Sequence, residues 1–357
     1  MRNKFIKIVN KESPKYIQVL GVKIPYSVIA DKEKRTAKIA GFLTLTYYRD
    51  EVDGSIYIKC LGKNIILREC NKAKRYKMRE KLDVETKKKI ILNTLTKNIG
   101  YKFNLDNPQT FNEKIYWLKL YNEDSRITRC CDKYAVKDYI TERIGPGYIV
   151  PTIATWDDPE QIDFDKLPDK FVLKVNWSSG YNIIVKDKQL IDQKAVKEKL
   201  KKWMRPYNNC YYSIFNWGYK DMKPVCYAEE YIEQIDGQVY DYKFYFSKGE
   251  FIYMFIATDR HGDKTLTYTF FDDKFEPLPF TYGNKPNANP IPDMPKNLNK
   301  MIELGKILAD DFPFVRVDFY EIGEEIYIGE MTFYSGGGML AINPVEWDKK
   351  LGDKIKI

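Results

Sequence analysis

Short runs of alternating apolar and polar residues, the period of a half-buried β-strand, are frequent in the C-terminal half of the chain. The clearest two, residues 314–320 and 327–332, flank a polar turn at residues 321–325 and predict a β-hairpin. Five more runs predict strands of the same kind. They cover residues 171–175, 181–185, 225–232, 240–246 and 251–256.

A helical period of three to four residues marks other segments. Thr110 and Glu113 have the spacing of a capping box, and Ile115, Leu118 and Tyr121 mark the apolar face of the helix that follows. Strand runs with few helices in a mixed order predict an α+β fold rather than a doubly wound sheet. The remaining predicted helices cover residues 132–144, 193–204 and 298–308.

The predicted hairpin brings polar side chains together. Side chains alternate between the two faces of a strand, so Arg316 shares a face with Asp318, and Glu330 shares a face with Thr332. If the turn centres near Glu324, Asp318 lies directly opposite Glu330. Two carboxylates at that distance repel each other unless a cation lies between them. Oxygen ligands beside an arginine suit Mg²⁺ that bridges nucleotide phosphates, and the alternative is a solvated hairpin face.

The N-terminal part differs from the rest. Gly21, Gly41 and Gly62 recur at regular intervals, each between short strand-like runs, which predicts a β-rich repeat module. The most basic run, residues 71–81, follows it and is either a solvated helix face or a contact for an anionic bilayer or glycan. We therefore divide the chain into a β-rich module, a basic and helical region, and two subdomains. Their bounds are 1–72, 73–150, 151–235 and 236–357.

Composition limits the classes of function. The 357 residues carry a net charge of +9, which suits an anionic substrate, a nucleotide phosphate or a membrane surface, or reflects only a soluble basic surface. No block of lysine and arginine residues interleaved with aromatic residues resembles a nucleic-acid-binding motif. The six cysteines include no CxxC pair, and neither a signal peptide nor a long apolar run is present, so we expect free thiols in a reducing cytoplasm. Peripheral association with the membrane stays open.

Two candidate phosphate contacts lie close together in the sequence. Lys174 interrupts an apolar strand, so its ammonium needs an anion or snorkels at an edge. The small residues Ser178, Ser179 and Gly180 follow in a hairpin tip that can fold its N–H groups over a phosphate. The chain has no Walker motif, so this loop is a phosphate site of another kind.

Further candidates follow on the next strands. Glu229, Glu230, Tyr231 and Ile232 end a strand and begin a linker, a place where backbone groups can meet the edge of an adenine ring. Asp241 and Lys243 share a face of the following strand, where one is suited to ribose and the other to phosphate.

This ordered set resembles the ATP-grasp superfamily, and within it the TupA-like ATP-grasp family of bacterial surface-polysaccharide clusters. The likeness covers about residues 100–345, and it rests on the order of the motifs because each alone is weak. The motifs are Thr110-Phe-Asn-Glu-Lys114, Asp132-Lys133-Tyr, Lys170-Phe-Val-Leu-Lys174 with Ser179-Gly180, Glu229-Glu230-Tyr, Asp241-Tyr-Lys243, and Val317-Asp318-Phe with Gly329-Glu-Met-Thr-Phe333.

The resemblance implies an ATP-grasp fold, in which two α+β subdomains clasp ATP, here with a helical segment and the small N-terminal module. It also implies roles for residues. Lys133 and Lys174 hold phosphates, Ser178–Gly180 close over them, Glu229–Ile232 form the adenine hinge, and Asp241 takes the ribose. The expected catalytic cations are Arg316 near the γ-phosphate, Arg260 on the substrate carboxylate or acylphosphate, and Lys243. The expected Mg²⁺ ligands are Asp318, Glu330 and Thr332.

Two departures from the family pattern matter. Thr332 stands where many ATP-grasp enzymes carry Asn, and its hydroxyl can still ligate Mg²⁺. The Rossmann-like first domain of the family is not recognisable in the sequence, and we expect helices from about residue 85 to 145 in its place.

The resemblance implies an ATP- and Mg²⁺-dependent carboxylate–amine ligase that works through an acylphosphate. A chain with one histidine and no GxSxG motif suits a reaction without a protein nucleophile. From the family's genomic association we expect it to modify a bacterial capsular or other surface glycan, joining a uronic acid to an amine or amino acid. A lipid-linked precursor at the cytoplasmic face of the membrane is a further expected partner. The alternatives are a phosphotransferase at the same ATP site, a glycosyltransferase, and a non-enzymatic scaffold.

Overall fold

The computed structural model describes the chain in two compact units, Met1–Leu82 and Asp83–Ile357. Strands before residue 69 and helix residues 94–98 are described by their backbone. The other described residues are 78–79, 81–93, 99, 101–177, 179–205, 208–209, 211, 215–232, 240–258, 266–339 and 341–357.

The first unit contains one antiparallel sheet with its seven strands in chain order. Paired strands flank each of the three repeated glycines, as the β-rich module predicts, and the glycines themselves lie outside the described residues. The strands are β1 (Ile6–Lys7), β2 (Tyr16–Val19), β3 (Val22–Ala30), β4 (Lys34–Ile39), β5 (Leu43–Arg49), β6 (Ile56–Cys60) and β7 (Lys63–Arg68).

The second unit contains two larger sheets. One has the order β10-β9-β11-β8, with β8 (Thr152–Trp156), β9 (Phe171–Val175), β10 (Asn182–Val185) and β11 (Cys226–Glu230). The other has the order β14-β13-β12-β16-β17, with β12 (Asp241–Ser247), β13 (Glu250–Thr258), β14 (Thr267–Phe271), β16 (Val315–Ile322) and β17 (Glu325–Thr332). The short strands β15 (Thr281–Tyr282) and β18 (Ile342–Asn343) pair with each other. All described pairings are antiparallel.

Helices pack around these sheets and confirm the predicted α+β class. They are α1 (Val84–Ile99), α2 (Phe111–Tyr121), α3 (Ser125–Cys131), α4 (Val136–Ile144), α5 (Gln193–Trp203), α6 (Leu298–Ala309) and α7 (Glu346–Asp353). Among the described helices, none is both long and apolar enough to cross a membrane.

The described cysteines are free and buried, and burial raises the pKa of the Cys130 and Cys226 thiols to about 12.

The capping box predicted at the start of α2 is present. The Thr110 hydroxyl accepts a hydrogen bond from Glu113 N at 3.2 Å, and the Glu113 carboxylate accepts one from Thr110 N at 3.0 Å. Glu113 also accepts hydrogen bonds from Asn104 N at 2.6 Å and Gln109 N at 2.8 Å. One buried carboxylate therefore satisfies three backbone donors of the turn that leads into the helix.

Two local predictions were wrong. The helix predicted for residues 132–144 begins only at Val136, because the Asp132 carboxylate accepts hydrogen bonds from Tyr134 N and Ala135 N and forms a turn there. The separate helix α3 precedes that turn. Tyr121 was placed on the apolar face of α2, but it is 39% exposed because it is the last residue of the helix.

One of two described hydrophobic clusters holds one face of the five-stranded sheet, and the second, which includes Tyr245 and Phe255, packs on part of the other face. Helix α6 packs on β12, and Gly305 allows the close approach, since a Cβ there would lie 2.2 Å from the Phe246 ring. Phe244 and Val317 lie fully buried on this face. The neighbouring residues Lys243 and Asp318 must therefore point to the opposite face, which is the face that carries charge.

Glu113→Ala is expected to lower the free energy of unfolding by about 3 kcal/mol, because three backbone N–H groups lose a charged acceptor in a half-buried turn. Denaturant titration would measure the loss. The control is Glu85→Ala, an exposed glutamate in the first turn of α1, where we expect little change. Equal effects of the two substitutions would contradict the role of Glu113.

Candidate active site

A cavity of about 980 Å³ is lined by residues of both large sheets. It brings together nearly all of the described residues that the sequence singled out. Ser178 and Arg260 lie outside the described residues. Thr332 is not part of the cavity lining, but its hydroxyl donates a hydrogen bond to the Glu330 carboxylate. The predicted residues in the lining are Lys133, Lys174, Ser179, Gly180, Glu229, Glu230, Tyr231, Ile232, Asp241, Lys243, Arg316, Asp318 and Glu330.

The hairpin β16–β17 has the register predicted from the sequence. Asp318 pairs with Glu330 and Arg316 pairs with Thr332 across the two strands. A register shift follows Asp318, and the four side chains share one face at the open end of the hairpin.

These side chains belong to a row of alternating charges. Arg316 Nε lies 2.5 Å from Asp318 Oδ1, and Arg316 Nη2 lies 2.6 Å from Glu330 Oε1. Lys133 Nζ pairs with Glu330 Oε2 at 2.5 Å. At the other end, Lys243 bridges Asp318 and Asp241, with 2.7 Å between its Nζ and Asp241 Oδ2. We call this set the charge row: Asp241, Lys243, Asp318, Arg316, Glu330 and Lys133.

Burial and the neighbouring cations shift the pKa values of the two facing carboxylates, Glu330 and Asp318. Burial alone would raise the pKa of Glu330, but Lys133 and Arg316 outweigh it and hold that pKa well below its ordinary value. For Asp318 the balance is opposite: burial raises its pKa, and Arg316 and Lys243 offset only part of the rise. The two facing carboxylates therefore differ, and Glu330 is the one held firmly as an anion.

The oxygen atoms around Arg316 fit a divalent cation. Its Nη2 group lies 2.8 Å from Asp318 Oδ2, 2.6 Å from Glu330 Oε1 and 3.0 Å from Thr332 Oγ1. Two carboxylates and a hydroxyl that already converge on one positive group form a donor set that a hard cation accepts. Within the described part of the chain, no three histidine, cysteine, aspartate or glutamate side chains gather as a metal site, here or elsewhere, so this donor set consists of two carboxylates and a hydroxyl. The metal assignment of these residues stays a prediction.

A second charged cluster lies beside the charge row, and the sequence did not reveal it. Glu229 is 5% exposed at its side chain and lies between two lysines, with its Oε1 2.6 Å from Lys137 Nζ and its Oε2 bonded to Lys174. Burial would raise the pKa of Glu229, but the two ammonium groups outweigh it and lower that pKa. We call Lys137, Glu229 and Lys174 the lysine–glutamate triad.

One feature of the sequence could have drawn attention to Lys137. It stands in α4 between the buried residues Val136 and Ile140, so a lysine there has to find a buried partner. Burial lowers its pKa, and the Glu229 carboxylate offsets part of that effect. Lys174 was expected to need an anion, and the anion in this structure is Glu229.

The predicted adenine hinge lies at the end of β11. Glu230 N donates a hydrogen bond to Pro151 O at 3.1 Å, and Glu230, Tyr231 and Ile232 line the cavity. The carboxylate of Glu229 is bonded within the triad, so contact with a base at this position would use backbone atoms. The adenine role of residues 229–232 and the ribose role of Asp241 stay predictions.

The predicted phosphate loop has a fixed base and an exposed tip. Trp177 is buried, and its indole N–H donates to Trp203 O at 3.1 Å, while the Tyr181 ring stacks on the Trp203 ring at 4.9 Å. Ser179 and Gly180 are exposed, and Gly180 adopts φ +75°, a conformation that suits glycine. Trp177 and Tyr181, on either side of the small-residue tip, are thus both anchored on Trp203, the last residue of α5.

Comparison with protein families identifies the chain. Residues 113–356 match the family model described as TupA-like ATPgrasp. The chain belongs to the TupA-like ATP-grasp family. The match begins at Glu113 of α2 and includes both large sheets and every described residue of the predicted site.

Solved structures show weaker likeness. D-alanine–D-alanine ligase from Bacillus anthracis is 18% identical over 57% of this chain and 57% of its own, with a TM-score of 0.34. The same enzyme from Helicobacter pylori is 15% identical over 69% and 67%, with a TM-score of 0.35. The ATP-grasp ligase PsnB with a minimal precursor is 8% identical over 59% and 54%, with a TM-score of 0.34. The chain thus spans only 57% of the Bacillus ligase. No curated protein matches significantly.

Arg316→Met is expected to lower the free energy of unfolding at pH 7 by about 3–5 kcal/mol, because it leaves two buried carboxylates facing each other without their shared cation. Denaturant titration would measure it. The matched control is Arg129→Met, which removes an exposed two-pronged ion pair with Glu142 and should change little. A loss at Arg316 no larger than at Arg129 would contradict the central place of Arg316.

Glu330→Gln is expected to destabilise the protein most at neutral pH. The folded-state pKa of Glu330 is below its ordinary value of 4.5, so its stabilising contribution is complete above that pH and declines as the pH falls toward the folded-state pKa. Unfolding titrations at pH 7, 5 and 3.5 should therefore show a wild-type advantage that shrinks at pH 3.5. The exposed Glu303→Gln on α6 serves as control. An advantage that stays constant to pH 3.5 would overturn the assignment.

Proposed function

We propose that this protein is an ATP- and Mg²⁺-dependent ligase that joins a carboxylate to an amine with release of ADP and phosphate. The observation that carries the proposal is the convergence of Lys133, Lys174, Lys243 and Arg316 with two facing carboxylates at one cavity, in a chain of the ATP-grasp family. Bound Mg²⁺ would supply charge neutralisation on the phosphates at Asp318 and Glu330.

The proposed reaction has two steps. A carboxylate oxygen of the substrate attacks the γ-phosphorus of ATP, the bond between γ-phosphorus and the bridging oxygen breaks, and ADP leaves. The amine nitrogen then attacks the carbonyl carbon of the acylphosphate, phosphate leaves, and the nitrogen gives up a proton. Arg316 and the lysines orient the reactants and stabilise the negative charge on the transferring group, so positioning and electrostatics supply the catalysis.

The proposed substrates are an acidic surface glycan and an amine or amino acid. The net charge of +9 supports an anionic carboxylate donor such as a uronic acid, free or on a lipid-linked precursor. We further propose that the reaction takes place in the cytoplasm or at the cytoplasmic face of the membrane. The glycan assignment follows from the family's association with surface-polysaccharide genes, and no described residue selects it.

Nucleotide binding tests the proposal first. Thermal shift assays with Mg²⁺ and ATP, ADP, GTP, UDP-glucose or UDP-glucuronate should show stabilisation by ATP and ADP, about 2.7 kcal/mol at ~100 times the dissociation constant. The Mg²⁺-dependent shift should disappear in Lys174→Ala. Stabilisation by UDP-sugars alone would overturn the ligase and favour a glycosyltransferase.

Product analysis then separates the two ATP-using reactions. Incubation with ATP, uronic acids and a panel of amines should release phosphate only when both a carboxylate and an amine are present. Asp318→Asn should abolish ADP formation. A phosphorylated sugar without amine-dependent phosphate release would favour the phosphotransferase instead.

A further inference from the structure

We propose that Lys137 is a positioning residue for nucleotide binding, a role that presupposes the proposed ATP site. It keeps the buried Glu229 carboxylate paired and thereby frees Lys174 to bind the phosphates of ATP. Glu229 then acts as a counter-ion that two lysines share, and its side chain does not contact the nucleotide.

Lys137 is fixed in place by three contacts. Its Nζ lies 2.6 Å from Glu229 Oε1, 2.7 Å from Val150 O and 2.7 Å from Thr152 Oγ1. A lysine ammonium has three hydrogen atoms to donate, so each of them has an acceptor here. With its side chain 11% exposed and its donors fully used, Lys137 has nothing left to offer a ligand.

Lys174 is the opposite case. Its side chain is 31% exposed, it lines the cavity next to Gly180, and the described ion pair joins it to Glu229 alone. To hold a phosphate, its ammonium must leave or share that carboxylate. The two lysines of the triad are therefore one fixed cation and one cation that is able to move.

The cost of that movement depends on Lys137. Glu229 is 5% exposed, and a buried carboxylate that loses its only cation is strongly destabilised. In the presence of Lys137 the carboxylate stays paired through Oε1 when Lys174 turns to the phosphate. Without Lys137, Glu229 would hold Lys174 as its sole counter-ion, and ATP would have to compete with it.

A double-mutant cycle tests this coupling by isothermal titration of the full chain with ATP and Mg²⁺. Lys137→Met keeps the aliphatic stem and should raise the dissociation constant of ATP at least tenfold. Lys137→Met combined with Glu229→Gln should restore most of the lost affinity, because no carboxylate then holds Lys174. Unfolding titrations of each variant report stability separately.

Lys114→Met is the matched control. The Lys114 ammonium also donates to a backbone carbonyl, Ile355 O at 2.8 Å, but Lys114 is not part of the cavity lining. This variant should lose some stability and keep the affinity of the wild type for ATP.

The outcomes separate the inference from the proposed function. If the wild type binds ATP and Lys137→Met binds it equally well, the inference is wrong and the ATP site stands. If the double variant is as weak as the single one, Lys137 acts only on the fold, which also overturns the inference. If the wild type does not bind ATP, the proposed function fails and the inference fails with it.

Discussion

The need to pair buried charges governs this site. Asp318 and Glu330 face each other across a hairpin, and Asp318 is almost fully buried. Neither carboxylate could stay ionised there without a cation. Arg316 lies between them, and Lys243 and Lys133 extend the alternation on each side. The same requirement applies to the lysine–glutamate triad, whose ion pairs join residues that are distant in the sequence. Each charged group of the charge row and of the triad is already paired with another.

The scaffold creates this arrangement by dividing the faces of one sheet. Strands β12 and β16 send apolar side chains toward α6 and charged ones toward the cavity, a consequence of the two-residue period of a strand. Lys133 and Lys137 reach the cavity from the turn before α4 and from its first turn. The capped α2 precedes this segment, and α6 fits closely because Gly305 leaves room for Phe246. Apolar packing thus decides where the charges have to meet.

Sequence reasoning was strongest where a pattern is local. The alternation at residues 314–332 was enough to predict the pairing of Asp318 with Glu330, and motif order was enough to bring Lys174, Asp241 and Lys243 to one site. It failed at Asp132, where a side-chain turn outcompetes the helix.

Long-range partners were the harder part of the prediction. Lys137 was missed because its ionic partner, Glu229, comes from a distant strand, and no periodicity records such a contact. The same limit applies to the charge row, whose order follows from tertiary packing.

A crystal structure of the full chain with Mg²⁺ and a non-hydrolysable ATP analogue would test the central claim most directly. The account predicts that the phosphates take Lys174 from Glu229, that Lys137 keeps its contact with that carboxylate, and that a metal ion binds between Asp318 and Glu330. A nucleotide bound elsewhere, or one bound in this cavity with the ion pairs of the triad and the charge row unchanged, would contradict it.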